Sequence, residues 1–338
     1  MKTFVLIDGN AILHRAYHAL PPLTSKNGDV VNAVYGFFSM FINLFQQYKP
    51  EYIAVCFDRP KPTFRQELFV GYQQHRPQMA DDLVPQIAIV HNILEKMKVP
   101  IFELDGYEAD DLIGTLAAQA ARININTTNK YQYQISNEKN ERIRKDLKLD
   151  IENLKLEIII VSGDRDLLQL VNEQVKVLAP ITGLTKTILF DAAAVEEKFG
   201  VKPSQIVDYK ALVGDPSDGY PGVSGIGPKT AADLLRSHGT FENLYQNVGE
   251  LPEKIATKLA TDAEQASLAK RLATIVRDAP VHLNFSACDV KNLEREGLRL
   301  AFEELGFKSL VKRLDNGAQK HEQQKRVEPK NNGQLGLL

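Results

Sequence analysis

The side chains best placed to do chemistry in this chain are carboxylates, and they come in groups. Asp8 and Asp58 each follow a short apolar run, and Glu108, Asp110 and Asp111 crowd into four positions. Asp164 and Asp166 share Ser-Gly-Asp-Arg-Asp, and Asp215 and Asp218 share Gly-Asp-Pro-Ser-Asp-Gly. A single Asp at such places has ordinary uses, because its side chain caps helices and closes turns. Acids near a helix N-terminus also complement its dipole. Three in four positions exceed that need, with Glu108 and Asp111 on one helical face, and they repel one another unless a cation intervenes. No Cys or His stands among these nine residues, so the donor set is all oxygen and suits Mg²⁺ or Mn²⁺. Two such ions in a carboxylate cluster are suited to phosphodiester hydrolysis, where they acidify a water and offset charge on the attacking and leaving oxygens. No Ser/His/Asp set, P-loop, dinucleotide glycine pattern or calcium-loop spacing competes with this reading.

The most specific pattern follows the last acidic pair. Gly222-Val223-Ser224-Gly225-Ile226-Gly227-Pro228-Lys229-Thr230 reads as a glycine hairpin feeding an amphipathic helix. A plain turn between helices would explain some of these glycines. Three of them, with Lys229 beside a helix start, favour sequence-independent contact with a DNA backbone. The contact residues expected are Gly222, Gly225, Gly227, Lys229 and Thr230.

Something must hold these groups together. Thr3–Ile7, Tyr52–Phe57, Ile101–Leu104 and Glu157–Val161 are β-branched apolar runs that each lead toward an acid, and they read as fully buried strands. Helical patterns at Asn32–Tyr48, Leu83–Lys98 and Glu108–Ala120 lie between them, which predicts a mostly parallel sheet covered on both faces. Ligands of such sheets bind beyond the carboxyl ends of the strands, where the acids would converge. Phe37, Phe38, Phe41 and Phe45 recur at helical spacing and are expected in the core. Arg122–Leu156, Asn-rich with eight basic and five acidic residues, reads as a solvated insertion with a marginal helix at Glu138–Leu149. After Thr187–Phe190 no strand alternation is evident, and 203–314 read as an all-helical lobe. The chain from Asn316 onward is polar and expected to be disordered.

Composition narrows the class. With 338 residues, two domains are expected, and 43% apolar content is that of a globular protein. Cys56 and Cys288 cannot build a disulfide framework or a Cys-rich zinc site. The longest apolar run, 33–45, is too short to span a bilayer, and Asp8 and Asn10 interrupt the leading apolar stretch too early for a secretory signal. A cytosolic protein with no membrane partner is expected. The net charge of −2 looks unlike a nucleic-acid binder, yet with the nine clustered acids and the tail set aside the remainder is mildly basic.

The sequence resembles the 5′-nuclease domain of bacterial DNA polymerase I, a member of the flap endonuclease family, over residues 1 to about 314. The resemblance is carried by Leu6-Ile7-Asp8-Gly9-Asn10, Phe57-Asp58, Thr63-Phe64-Arg65 and Gly106-Tyr107-Glu108-Ala109-Asp110-Asp111. It continues through Ser162-Gly163-Asp164-Arg165-Asp166-Leu167 and Gly214-Asp215-Pro216-Ser217-Asp218 with the hairpin. It implies an α/β fold: a PIN-like nuclease core over 1–202, an arch over about 59–100 and a helix–three-turn–helix lobe over 203–314. It also implies a two-metal-ion 5′→3′ exonuclease and flap endonuclease of replication and repair, acting on duplex DNA with a 5′ flap or 5′ end, with a K⁺ at the hairpin. Residue by residue, the implied metal ligands are Asp8, Asp58, Glu108, Asp110, Asp111, Asp164, Asp166, Asp215 and Asp218. Arg76 matches the arginine that meets the scissile phosphate.

Two positions depart from the family pattern. Gln73 stands where a catalytic lysine is usual, and Gly219 where Asn is usual. A neutral Gln cannot offset developing negative charge, which keeps open a structure-specific DNA-binding protein with little catalysis. Retention of all nine acids favours the enzyme. Arg65, with Arg59 and Lys61, is expected to contact phosphate because of its place beside Asp58. His14, Arg15, Tyr17 and His18 fit a helix surface and DNA contact equally well. The chain leaves no room for a polymerase domain, so a stand-alone, monomeric nuclease is expected. Its last residues, Gln334-Leu335-Gly336-Leu337-Leu338, resemble the pentapeptide that binds the bacterial sliding clamp, with the tail from 315 as a tether.

Overall fold

The computed structural model describes residues 2–76, 78–137, 156–183 and 186–315. The expected helix at Glu138–Leu149 and the tail motif at 334–338 lie outside them. The first half of the chain contributes β1 (Lys2–Asp8), α1 (Gly9–Ala19), α2 (Asn32–Tyr48), β2 (Tyr52–Cys56), α3 (Phe64–Leu68), α4 (Val84–Lys96), β3 (Ile101–Phe102) and α5 (Ala109–Asn137). Next come β4 (Leu156–Val161), β5 (Val175–Thr182), β6 (Lys186–Phe190), α6 (Ala192–Phe199) and α7 (Ile206–Val213). The two-residue strands β7 (Gly214–Asp215) and β8 (Tyr220–Pro221) precede α8 (Pro228–His238), α9 (Phe241–Gln246), α10 (Glu253–Thr261), α11 (Ala263–Ala273) and α12 (Arg295–Leu305).

The six main strands form one sheet in the order β3-β2-β1-β4-β5-β6, parallel except for the antiparallel pair β5–β6. Alternation along β1 sends Phe4 and Leu6 to one face and Val5 and Ile7 to the other. Both faces are covered, so a continuous apolar run is what this strand requires. On one face α5 buries Leu112, Ile113, Leu116 and Ala120, and on the other α2 buries Phe37, Phe38 and Phe41. The chain runs outward from β1 through β2 to β3 and then returns to β4 on the far side of β1. That reversal is a switch point, where open α/β sheets place their ligands. The register sets Asp8 beside Cys56 and Ile7 beside Val161, which brings the ends of three acid-bearing strands into one row.

Three features differ from the sequence reading. α5 does not stop near Ala120 but continues through 124–130 to Asn137, where a solvated insertion was expected. Its first turns are anchored in the core, so the cost of helix nucleation is met there and propagation needs little further packing. β5, which contains Pro180, has too broken an apolar pattern to stand out as a buried run, but its pairing with β6 completes the sheet. Finally, the segment 203–314 is not one lobe. Leu298, Ala301 and Phe302 of α12 return to the core beside α2, with Phe302 edge-on to Phe38 at 5.5 Å. Their apolar stripe covers a side of α2 and α4 that the sheet leaves open. Among the described residues no helix is long and apolar enough to cross a membrane.

Candidate active site

The acids divide into two groups with different electrostatics. Asp8 ends β1 and caps α1, where Oδ1 accepts the Ala11 N–H at 2.9 Å and Oδ2 accepts the Ser162 hydroxyl at 2.6 Å. Ser162 Oγ in turn accepts the Asp164 N–H at 3.0 Å, so one buried hydroxyl orients two of the acids. Asp58, just beyond β2 and exposed, accepts the N–H of Ala109 at 2.7 Å and so joins the start of α5. Asp110 stands in the first turn of α5. Among the described residues Asp8, Asp58, Asp110 and Asp164 form no ion pair. Burial, then the charge of Asp58, pushes Asp8 up to about 7, and burial, then the charge of Asp164, pushes Asp110 well above the carboxylate range. Burial also raises Glu108 to about 7, although Arg65 pulls it down.

The second group is tighter. Asp166, Asp215 and Asp218 each offer a carboxylate oxygen, and these atoms lie within 4.8 Å of one another. Here the protein supplies its own cations. Lys210 of α7 bridges Asp166 and Asp215, the latter at 2.6 Å, and Arg76 reaches Asp218 at 2.5 Å. Burial favours the neutral form of Asp215, but Lys210 and Ser217 outweigh it and hold the carboxyl below its usual range. Burial wins at Asp218, which stays raised despite Arg76.

Asp111 and Arg65 are placed differently from expectation. Asp111 is fully buried, and its two oxygens accept both Arg65 terminal nitrogens at 2.8 Å, the Glu108 N–H at 3.1 Å and the Val276 N–H at 2.9 Å. No lone pair is left for a metal. Arg65 is 2% exposed, so it cannot meet a phosphate. Two more N–H groups donate to the Leu272 and Thr274 carbonyls, and Glu108 pairs with the guanidinium at 3.2 Å. Of the five N–H donors of an arginine, four are thus hydrogen-bonded inside the protein. Arg59 and Lys61 pair with Asp105, at 3.2 and 2.6 Å.

The region expected to form an arch holds α3 and α4, with residues 69–76 between them reaching the acids. Tyr72 donates its hydroxyl to Glu108 at 3.1 Å, and Thr63 Oγ1 donates to the other oxygen of Glu108 at 3.1 Å. Gln73, at φ 55°, donates its backbone N–H to the Asp218 carbonyl at 2.7 Å, and its side chain lies 3.4 Å from Asp218 Oδ1. Gly219, at φ +77°, leaves room for this approach: a Cβ there would stand 3.0 Å from the Gly71 carbonyl oxygen. In the polar patch of α1, Arg15 donates to the Ile181 and Gly183 carbonyls and Tyr17 to Asp82, so these two side chains serve the fold.

Below the acids, the hairpin leads into α8 with Gly227 at the N-cap and Pro228 in the first turn. Gly225, Gly227 and Lys229 are exposed and Thr230 is half-buried. Gly222 is buried instead, since a Cβ there would fall 2.3 Å from the Gly214 nitrogen. Its glycine is required by packing and is not free to approach a phosphate. The hairpin carbonyls do not offer an open cradle for K⁺. Lys258 Nζ donates to the Gly225 carbonyl at 2.7 Å, and Gln265 donates to that of Gly222.

Ser162, Lys210 and Lys258 escape a reading based on acids and glycines. Ser162 lies inside a recognisable motif, but a small hydroxyl residue carries little signal alone. Lys210 and Lys258 are surface-type residues on helices, and only the fold shows what they meet.

Known proteins resemble this chain in sequence and fold. Residues 3–154 match the 5′-3′ exonuclease N-terminal resolvase-like domain, and residues 201–296 match the 5′-3′ exonuclease C-terminal SAM fold. A 5′-3′ exonuclease of Aquifex aeolicus is 34% identical over 315 residues, 93% of this chain and 96% of that protein. DNA polymerase I of Caldicellulosiruptor bescii is 39% identical over 312 residues, 92% of this chain, and the chain spans only 33% of that protein's length. T5 5′-exonuclease, solved with divalent zinc ions, superposes with a TM-score of 0.59 at 18% identity, covering 93% of this chain and 98% of that one. The fold is therefore that of a PIN-like nuclease core with a helical C-terminal domain. The chain belongs to the 5′-3′ exonuclease family.

Proposed function

We propose that this chain is a metal-dependent 5′→3′ exonuclease and 5′-flap endonuclease that hydrolyses DNA phosphodiesters in replication and repair. The observation that supports this most is electrostatic. Asp8, Asp58, Asp110 and Asp164 form no ion pair among the described residues, and Asp8 and Asp110 are pushed toward protonation by burial and by the neighbouring carboxylates. A hard divalent cation relieves that repulsion, and an all-oxygen donor set suits Mg²⁺ or Mn²⁺. We assign one ion to Asp8, Asp58, Asp110 and Asp164, with Glu108 nearby, and a second to Asp166, Asp215 and Asp218, where it would displace Lys210 and Arg76 from those carboxylates. When bound, such ions acidify a water and offset charge on the phosphate oxygens.

The chain's own groups then have defined tasks. Arg76 is exposed along half its side chain, so it can leave Asp218 for the scissile phosphate. Ser162 keeps Asp8 and Asp164 aligned. Lys229, Gly227 and Thr230 present a charge and free N–H groups at the start of α8 to a backbone phosphate. The nuclease core spans 1–202, and the lobe that holds the duplex ends near Leu293, before α12 rejoins the core. The enzyme works as a cytoplasmic monomer, which a stable dimer in sedimentation would overturn.

A labelled 5′-flap duplex tests the reading. Cleavage is expected with Mg²⁺ and not without it, leaving a 5′-phosphate and a 3′-hydroxyl. Asp164→Ala should abolish cleavage and spare duplex binding, because it removes a metal ligand and not a phosphate contact. Metal-independent cleavage, or a near-normal Asp164→Ala rate at saturating Mg²⁺, sinks the two-metal assignment. A flap that is bound but never cut would favour the DNA-binding alternative that neutral Gln73 suggests.

The sliding clamp is the proposed protein partner, through Gln334–Leu338. A labelled peptide of residues 328–338 should bind the clamp, and Leu337→Ala should weaken it. Binding that Leu337→Ala leaves unchanged, or no binding at micromolar clamp, would remove the partner.

A further inference from the structure

We propose that the ammonium of Lys258 is a built-in cation of the glycine hairpin. It fills the place at the Gly225 carbonyl that a monovalent ion would take, and it presents its charge to a backbone phosphate. The second half of this statement rests on the DNA-binding reading above.

The hydrogen bonding of the hairpin leaves little for a free ion to coordinate. The Gly222 carbonyl accepts from Gln265, the Val223 carbonyl from the Ile226 N–H at 3.0 Å, and the Gly227 carbonyl from the Ala231 N–H at 3.0 Å. The Gly225 carbonyl accepts from Lys258 at 2.7 Å, a charge-assisted bond. The site is also sterically filled, because a Cβ on Gly225 would lie 2.5 Å from Lys258 Nζ. At φ +74° Gly225 holds a backbone conformation open to glycine, so the carbonyl is turned to its partner without strain. A potassium ion drawn to the same oxygen would meet a like charge at contact distance.

Lys258 is held for this role from the opposite side. It lies in the last turn of α10, and the residues that follow grip the same hairpin: Asp262 Oδ2 accepts the Ser224 N–H at 2.7 Å, and Gln265 reaches Gly222. The hairpin is thus gripped by three side chains, Lys258 of α10, Gln265 of α11 and Asp262 between the two helices. Among the described residues Lys258 forms no ion pair, so its charge is not cancelled by a carboxylate. An ammonium has three donors, and the Gly225 carbonyl takes one. Lys258 itself is half-buried, and no other hydrogen bond of its ammonium is formed among the described residues.

The test is duplex binding by fluorescence anisotropy in EDTA, in potassium chloride against choline chloride at equal ionic strength. The wild-type affinity should agree within about twofold between the salts. Lys258→Met should bind about tenfold more weakly in choline, the loss of one charged hydrogen bond, and potassium should restore about threefold by entering the vacated cradle. A wild-type affinity that depends on potassium overturns the proposal. So does a Lys258→Met variant that equals the wild type, or one that potassium does not rescue. If no duplex binds in either salt, the DNA reading fails. Thermal melting then decides the cation assignment: potassium should raise the Tm of Lys258→Met over choline and leave the wild type unmoved, and the reverse pattern rejects it.

Discussion

Gln73 is the residue whose chemistry departs most from its neighbourhood. Its backbone N–H fastens the 69–76 turn to Asp218, and its side chain adds a neutral dipole where a positive charge would act on phosphate. With its amide turned the other way, the oxygen accepts from Arg76 at 3.2 Å, again without contributing charge. Gln and Lys are both unbranched at Cβ, so the left-handed backbone there penalises them alike. Gln73→Lys should therefore raise single-turnover cleavage about 10-fold by adding electrostatic stabilisation near the reacting phosphate. Rapid-quench measurement on a flap duplex checks this. An unchanged or lower rate would mean that Arg76 already suffices, or that the new ammonium stays locked on Asp218.

At the scale of elements, Arg65 turns α3, α5 and the end of α11 into one unit. Its guanidinium reaches Asp111 in the first turn of α5, Glu108 just before it, and the carbonyls of Leu272 and Thr274. The pair is buried, and its desolvation offsets much of its attraction, so the intact pair is weak evidence for stability. Breaking it is another matter, because a carboxylate would be stranded in the core. Arg65→Met should lower unfolding stability by about 3–5 kcal/mol, and Arg65→Met with Asp111→Leu should recover part of that loss. Chemical denaturation measures both. A loss below about 1 kcal/mol would show that water reaches Asp111 and that the unit is looser than its geometry implies.

Across the whole molecule, the strand-end acids link metal binding, protonation and stability. Asp8 and Glu108 are raised to about 7, from ordinary values of 3.8 and 4.5. Between those limits the folded, metal-free chain binds more protons than the unfolded chain. The stability these groups contribute is fully present below about 4 and is lost as pH rises through about 7. The metal-free Tm should therefore fall between pH 5 and pH 8. Mg²⁺ should raise it more at pH 8 than at pH 5, since the ligands must be deprotonated to bind. Calorimetry in EDTA and in Mg²⁺ tests the sign, and a metal-free Tm that rises over this range would remove the uncompensated acids from the account.

What could be read from the sequence was local or periodic. The buried strands, the helix Asn32–Tyr48 and the acids at strand ends follow from side-chain alternation and from where apolar runs stop. Their convergence follows from parallel-sheet topology, which allows few alternatives. Pairing between distant charges was not legible. Arg65 and Asp111 are 46 positions apart, and Arg65 and Leu272 are 207 apart, so no spacing rule connects them. An exposed-looking arginine beside Asp58 thus became a buried clamp, and an acid from the metal motif became its partner. The same holds for Lys210 between two acids, Lys258 on the hairpin and α12 against α2. Hydrophobic and hydrogen-bond periodicity is encoded along the chain, whereas the partner of a charge depends on which surfaces meet, and only the tertiary fold decides that.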